Sequence, residues 1–372
     1  MAYYPQKVVW EITYKCNINC IHCGSDCTSV EKEHQLTTAE CFDVIADLAQ
    51  LGCELVILSG GEPMIRKDIS AIATAVRRQG MRVAFISNGT LLNERNMKWL
   101  KAVRPEAFGM SLDAGTRELH DYIRGKEGVF DNLFEKTKLL QDNGIHVSIV
   151  TTVHKLNFSE LPKIRQLLMD NNIRLWQIQY GDFIGRMPKE AMITEAQFLE
   201  MAKFILDTRE NYKDYFDGVS GADGFGYMGE LGTTLQGAWY GCFAGIRGLG
   251  LGSDGTVRGC LSLQMDEYKE DNVRNRSLVD IWNDKNSFAY NRHFDCSMLT
   301  GHCKDCVYAG VCKGGCVRAA TVDGGRCDKY CLYHLEENGF SNEEQSRTNF
   351  SKQEIYDIYN PIRPLPENYF EL

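Results

Sequence analysis

Cys16, Cys20 and Cys23 fall within residues 15–24, KCNINCIHCG, directly after an apolar stretch, residues 8–13, that reads as a short buried strand. Three thiolates offered by one loop can hold three irons of a cubane [4Fe-4S] cluster. Such a cluster has one more iron than the loop has thiolates, and an iron without a protein ligand is where a small molecule binds. The competing reading is a structural zinc site. Zinc sites are closed by four ligands and usually pair two short Cys/His clips. Here the first gap is three residues and the second two, and His22 inside the second gap points elsewhere if Cys20 and Cys23 share one centre. The spacing favours iron-sulfur chemistry and leaves zinc as the alternative.

Further motifs follow in chain order. Residues 54–59, ELVILS, end in Gly60-Gly61-Glu62-Pro63. Residues 82–87 lead into Asn88-Gly89, and residues 107–112 lead to Ser111, Leu112 and Asp113. Arg124 stands in HDYIRG, residues 120–125. Singly, each has an ordinary explanation: Gly and Pro mark turns everywhere, and an arginine at a helix end is commonly solvated. Together, after the C-x3-C-x2-C run, they resemble the radical S-adenosylmethionine (SAM) superfamily, in which the free iron chelates the amino and carboxylate groups of SAM's methionine. The resemblance implies that Gly60, Gly61, Glu62 and Pro63 present backbone groups and a polar side chain to the SAM amino group. It also implies that Asn88, Ser111 and Asp113 contact the cofactor from strand ends, and that Arg124 pairs with the SAM carboxylate, a task suited to its planar fork. His22 departs from the family's usual Tyr or Phe before the third cysteine.

A second cysteine region begins in residues 218–255, too rich in glycine for helix and read as turns around a bulky group. Cys242 and Cys260 bracket a hairpin-like segment, residues 248–259, with Ser253-Asp254-Gly255 as its turn. Then come Cys303-x2-Cys306-x5-Cys312-x3-Cys316, and further on Cys327 and Cys331. This pattern resembles the SPASM extension of radical SAM enzymes. A zinc ribbon is the bland alternative, but four to six clustered thiolates exceed what one zinc needs. The resemblance implies two auxiliary iron-sulfur clusters, [4Fe-4S] in type. Cys242, Cys260 and Cys316 would hold the first; Cys303, Cys306, Cys312 and Cys331 would hold the second, with Cys327 spare. Seven cysteines cannot fill eight positions, so the first auxiliary cluster either has an open iron for substrate or is completed by Cys327, Cys296 or a non-cysteine group. Iron near about twelve per chain is expected if all three clusters are [4Fe-4S]. Cys41 and Cys53, with apolar neighbours, read as core residues; Cys27, four residues after Cys23, could approach the first cluster.

The elements that must position these groups alternate. Strand-like runs at 8–13, 54–59, 82–87, 107–112, 146–153 and 174–180 interleave with helix-like runs at 38–51, 67–79, 93–103, 132–143, 159–171 and 194–212. Regular alternation predicts an α/β fold with a parallel sheet covered by helices. Right-handed crossovers curl it into a partial (β/α)6 TIM-like barrel with its active end at the strand C-termini, where every SAM motif falls. The expected organisation is a radical SAM barrel over 1–215, a SPASM auxiliary-cluster domain with its glycine-rich bridge over 216–335, and a polar, then proline-bearing tail over 336–372 that packs along the surface or is partly mobile. Trp176, Gln177, Gln179, Tyr180 and Asp182 at the sixth strand's end, with Asp223 and Tyr227 in the bridge, are candidate substrate or adenosine contacts. Alternation puts Gln177 and Gln179 on one face. Packing and turn roles explain them equally well, and no general base can be chosen among Asp113, Asp182 and Asp223.

Composition bounds the rest. The 372 residues are 44% hydrophobic, enough for a sizeable core, and the net charge of -9 with no basic stripe argues against nucleic-acid partners. No apolar run approaches the roughly 18 residues of a spanning helix, and no signal peptide is visible. Fifteen cysteines without an export signal read as metal ligands in a reducing cytoplasm. The implied chemistry is reductive cleavage of SAM by a low-potential electron donor of the flavodoxin or ferredoxin type. The resulting 5'-deoxyadenosyl radical abstracts hydrogen from a substrate carbon; the cofactor does the hard step and the protein aims it. The first expectation for the substrate is a peptide or protein, with crosslink or thioether formation in a ribosomal peptide. Because the chain starts almost at its first strand, a leader-peptide-binding protein is expected to be separate or absent. Alternatives are a sulfatase-activating type of maturase, side-chain oxidation in the porphyrin or heme pathway, and a non-catalytic iron-sulfur electron carrier.

Overall fold

The structure is a computed structural model describing residues 3–27, 34–222, 224–322 and 324–366. Asp223, one of the proposed contacts, lies outside the described residues. All six strand-like runs become strands: β1 (Lys7–Thr13), β2 (Leu55–Gly60), β3 (Arg82–Ser87), β4 (Phe108–Ser111), β5 (Val147–Val153) and β6 (Leu175–Tyr180). Each pairs in parallel with the next. The crossovers are α1 (Thr38–Gln50), α2 (Ile69–Arg78), α3 (Glu94–Val103), α4 (Arg117–Arg124) with α5 (Val129–Asp142), and α6 (Leu161–Asp170), while α7 (Glu195–Asn211) follows β6. Alternation along β1 sends Val8, Trp10 and Ile12 into the core, where all three are fully buried with Val56 and Leu58 of β2. Glu11 and Thr13 have the opposite parity and are buried polar groups near the cysteine loop. Thr37 with Glu40 and Thr194 with Gln197 form capping boxes that fix where α1 and α7 begin.

The sheet runs further than six strands. Its order is β10-β9-β8-β1-β2-β3-β4-β5-β6-β7, where β7 is Gly218–Gly221, β8 Gly248–Leu251, β9 Thr256–Arg258 and β10 Lys269–Asn272. Strand β7 pairs in parallel with β6 inside the stretch read as turns. Backbone pairing needs no side chain, and Phe216 and Val219 supply the burial, with the Phe216 ring 6.2 Å from that of Trp176. The β8–β9 hairpin forms as expected, and β8 also pairs in parallel with β1. A single sheet thereby joins the strand leading to Cys16 to the hairpin leading to Cys260.

The C-terminal segment carries one more helix. Ser351 and Glu354 form a capping box for a helix over Lys352–Tyr359, and its Ile355 and Tyr359 are buried against Ile21, Leu119 and Ile123. One short amphipathic turn pair among polar residues gives too weak a period to stand out in sequence. Among the described residues, no helix is long and apolar enough to cross a membrane.

Candidate metal and cofactor site

The cysteine loop leaves β1 and is held from below by the Gly-Gly-Glu-Pro turn. The N–H of Gly61 donates to Thr13 O and that of Glu62 to Lys15 O, both at 2.8 Å. A Cβ on Gly60 would collide with the Thr13 carbonyl, and one on Gly61 with the Lys15 carbonyl, so this backbone contact requires both glycines. The Glu62 carboxylate points inward. It accepts from Met64 N at 2.9 Å, from Ser87 Oγ at 2.8 Å and from Asn88 N at 2.8 Å, and it is fully buried. Burial lifts its pKa to about 7 against those three donors. The carboxylate thereby ties the turn to the end of β3.

Cys16, Cys20 and Cys23 pack with Ile18 and Val129 in one small cluster. Burial pushes the Cys16 thiol up to about 11 and raises Cys20 as well, where Arg124 opposes the effect. Cys27 hydrogen-bonds Cys23, lowering the Cys23 thiol and raising its own. Arg124, at the end of α4, donates from Nη1 to Cys20 Sγ at 3.3 Å and pairs through Nε with Asp113 Oδ2 at 3.0 Å. Asp113 is wholly buried at the end of β4; Thr152 N donates to its Oδ1 at 2.9 Å, and its own N–H donates to His120 Nδ1 at 3.2 Å. The carboxylate facing Arg124 is thus Asp113 itself, and Asp113 acts as the arginine's counter-ion. His22 Nε2 lies 3.5 Å from Asp113 Oδ2. Burial, then Arg124 and Arg186, keep His22 neutral by lowering its pKa.

Other predicted contacts separate into those near the loop and those spent elsewhere. Asn88 Nδ2 donates to Asn17 Oδ1 at 2.9 Å and lies 3.9 Å from Cys16 Sγ, so it belongs to the loop. Gln179 Nε2 donates across to Thr152 Oγ1 at 2.9 Å, beside the residue that holds Asp113. Ser111 and Gln177 are half-buried on paired positions of the sheet, Ser111 facing Val150 and Val150 facing Gln177. Trp176 is core, donating from Nε1 to Thr151 Oγ1 at 2.9 Å. Tyr180 packs against Phe198, Phe225 and Tyr330, Tyr227 donates to buried Asp328 at 2.6 Å, and Asp182 pairs with Arg318 at 3.1 Å. Sequence reasoning missed Arg186, which donates from Nε to Cys20 O at 2.8 Å and from its backbone to Cys23 O at 3.0 Å. It also missed His154, whose Nδ1 lies 2.8 Å from Tyr359 Oη. Neither stands in a spacing pattern: Arg186 reaches the loop from the segment after β6, and His154, directly after β5, brings its ring to 5.6 Å from that of His22.

The second cysteine region gathers two groups of thiols. A cavity of about 270 Å³ is lined by Cys303, Cys306, Cys312 and Cys331, with Tyr308, Tyr333 and His334. Cys327 is absent from that lining; it hydrogen-bonds Cys303 and lies 3.4 Å from His302 Nδ1, which together hold its thiol low. Cys242 and Cys316 hydrogen-bond each other, and Cys260 packs with Cys242 around Ala244 and Val317. Tyr227 and Trp239, rings 4.8 Å apart, pack among Cys312, Cys242 and Cys316. All-sulfur donor sets of this kind suit iron-sulfur clusters.

Comparison with known proteins agrees with these two regions. The radical SAM superfamily model matches residues 10–168, and the iron-sulfur cluster-binding SPASM model matches residues 242–307. The Fe-coproporphyrin III synthase of Methanosarcina barkeri is 32% identical over 359 residues, covering 90% of this chain and 89% of that protein. The AdoMet-dependent heme synthase of the same organism is 28% identical, covering 88% and 97%. The PqqA peptide cyclase of Rhizobium meliloti is 25% identical, covering 88% and 87%. Among solved structures, Streptococcus suis SuiB bound to S-adenosylmethionine shares the fold with a TM-score of 0.72 at 17% identity, covering 89% of this chain and 78% of that one.

Proposed function

The chain belongs to the radical SAM superfamily and carries its SPASM domain, and from that premise we propose that it oxidises a carboxylate-bearing side chain of a tetrapyrrole. Its domains imply a [4Fe-4S] cluster and auxiliary clusters, and it is an enzyme. The observation that carries the substrate is the tetrapyrrole-synthase relative at 32% identity, aligned over nearly the full length of both proteins. When bound, the cluster and SAM supply a 5'-deoxyadenosyl radical that removes hydrogen from a substrate carbon.

The residues present fit that cofactor. Cys16, Cys20 and Cys23 are the ligands we assign to the first cluster. Arg124 lies against Cys20 and offsets thiolate charge in a buried place, with Asp113 fixing its orientation. The same guanidinium is the group we assign to the SAM carboxylate. The turn at Gly60, Gly61, Glu62 and Pro63 offers backbone groups beside the loop, with Asn88, Ser111, Gln177 and Gln179 at the strand ends as further contacts. Cys242, Cys260 and Cys316 are assigned to the first auxiliary cluster and Cys303, Cys306, Cys312 and Cys331 to the second, because the last four share one cavity and Cys327 stands outside it. The electron would come from a flavodoxin- or ferredoxin-type donor.

The test is anaerobic turnover of the reconstituted, reduced protein with SAM. We expect 5'-deoxyadenosine release stimulated by a coproporphyrin-type substrate, together with a mass change on its side chain. Stimulation by a peptide and none by any tetrapyrrole would sink this reading. It would favour the second one, a crosslinking peptide maturase, which rests on the peptide cyclase matching over most of both chains.

A further inference from the structure

Three cysteines leave one corner of the first auxiliary centre without a thiolate. Neither spare thiol is placed to fill it, because Cys327 is held beside Cys303 and His302 and Cys296 is exposed. Tyr290 is placed to fill it. Like Cys242 and Cys260, its ring packs against the small cluster of Ala244, Leu263, Tyr268 and Val317, and it is braced edge-on by Tyr268, ring centroids 5.0 Å apart. Its hydroxyl is buried and has no hydrogen-bond partner among the described residues. A buried hydroxyl with nothing to bond is costly, so this one calls for a partner that the described residues do not supply. The backbone makes room for this one oxygen: a Cβ on Gly259, the residue before Cys260, would collide with it. The next residue fixes the position, since Asn291 Nδ2 donates to Cys242 O at 2.6 Å and to Ala244 O at 2.8 Å. The phenol is thereby pinned to the loop that carries Cys242 and set against the residue that precedes Cys260.

We propose that Tyr290 Oη is the fourth protein ligand of the first auxiliary cluster, beside Cys242, Cys260 and Cys316; this rests on the cluster assignment above. On assembly an iron–oxygen bond forms, the phenolic proton leaves to water as thiol protons do, and no electron moves. The consequence is a closed centre that passes electrons without binding substrate.

The full-length chain carrying Cys16→Ala, Cys20→Ala and Cys23→Ala isolates the auxiliary centres. It should hold about eight irons, and its reduced electron paramagnetic resonance spectrum should be unchanged by added cyanide. Adding Tyr290→Phe, which keeps the ring and deletes the oxygen, should leave the iron count and produce a cyanide-dependent signal; Tyr268→Phe in the same background should produce none. The same comparison in the otherwise wild-type chain with excess SAM covers any failure of the triple variant to fold. A cyanide response with Tyr290 intact, or none without it, overturns the assignment while the auxiliary clusters stand. Iron far below about eight, with zinc in its place, overturns the clusters and the tyrosine together.

Discussion

Arg124 and Asp113 show how much of this site is decided one side chain at a time. The guanidinium is 11% exposed and the carboxylate not at all, so each depends on the other. Removing one member of a buried pair strands the other charge at a cost of roughly 3–5 kcal/mol. Arg124→Met should therefore lower the unfolding free energy of the cluster-free protein by about that amount in a urea titration, whereas replacing both residues with apolar ones should cost less. Glu62 gives a second, pH-dependent test. Its folded pKa of about 7 lies above the ordinary 4.5, so protonation favours the fold. This contribution is fully present below pH 4.5 and is lost as pH rises to about 7. It amounts to roughly 3 kcal/mol. Glu62→Gln, unable to ionise, should flatten the stability profile over that window; an unchanged slope would refute the assignment of burial as the cause. The identities of Arg124 and Glu62 were legible in the motifs. Most of their partners were not, because Asp113, Ser87 and Asn88 meet them only through packing, whereas Met64 N is a local contact two residues on.

At the scale of elements, hydrophobic runs told most of the story. The six predicted strands all form, since each is a short apolar run bounded by turn residues and buried on the sheet. Strand β7 escaped because Gly218 and Gly221 read as turn residues, and helix α4 because eight residues of largely polar sequence, RELHDYIR, carry only a short apolar face. Yet α4 brings Arg124 to Cys20, and the turn after β2 decides where the cysteine loop lies. Gly61 is the sharpest test of that turn. Gly61→Ala would push against the Lys15 carbonyl at the start of the loop, so it should cost the first cluster and spare the other two. Reconstituted variant should then hold about eight irons per chain where the wild type holds about twelve. Loss of all iron would point instead to global unfolding.

Across the whole molecule, the two cysteine regions are joined by one continuous sheet. Strand β8 pairs with β1, so the hairpin reaching Cys260 and the strand reaching Cys16 share a ladder. Gln264 Nε2 donates to Gly24 O at 2.7 Å, and Arg318 pairs with Asp182 beyond β6, closing the same gap from two sides. The C-terminal segment adds a third tie that sequence could not show, because its partners lie more than two hundred residues away. Arg363 donates from Nη2 to Asn19 O at 2.6 Å and from Nη1 to Tyr122 O, while Tyr122 Oη donates to Arg363 O at 2.8 Å. Asn19 stands between Cys16 and Cys20, so this arginine clamps the loop from outside the barrel and joins it to α4, the helix that carries Arg124. Cutting the clamp should loosen the loop and leave the sheet intact. For Arg363→Ala we expect folding and auxiliary iron to be retained, and the first cluster to be stripped by a chelator several-fold faster than in the wild type. Equal stripping rates would show that the loop's other contacts hold it without the clamp, with the tail merely covering it.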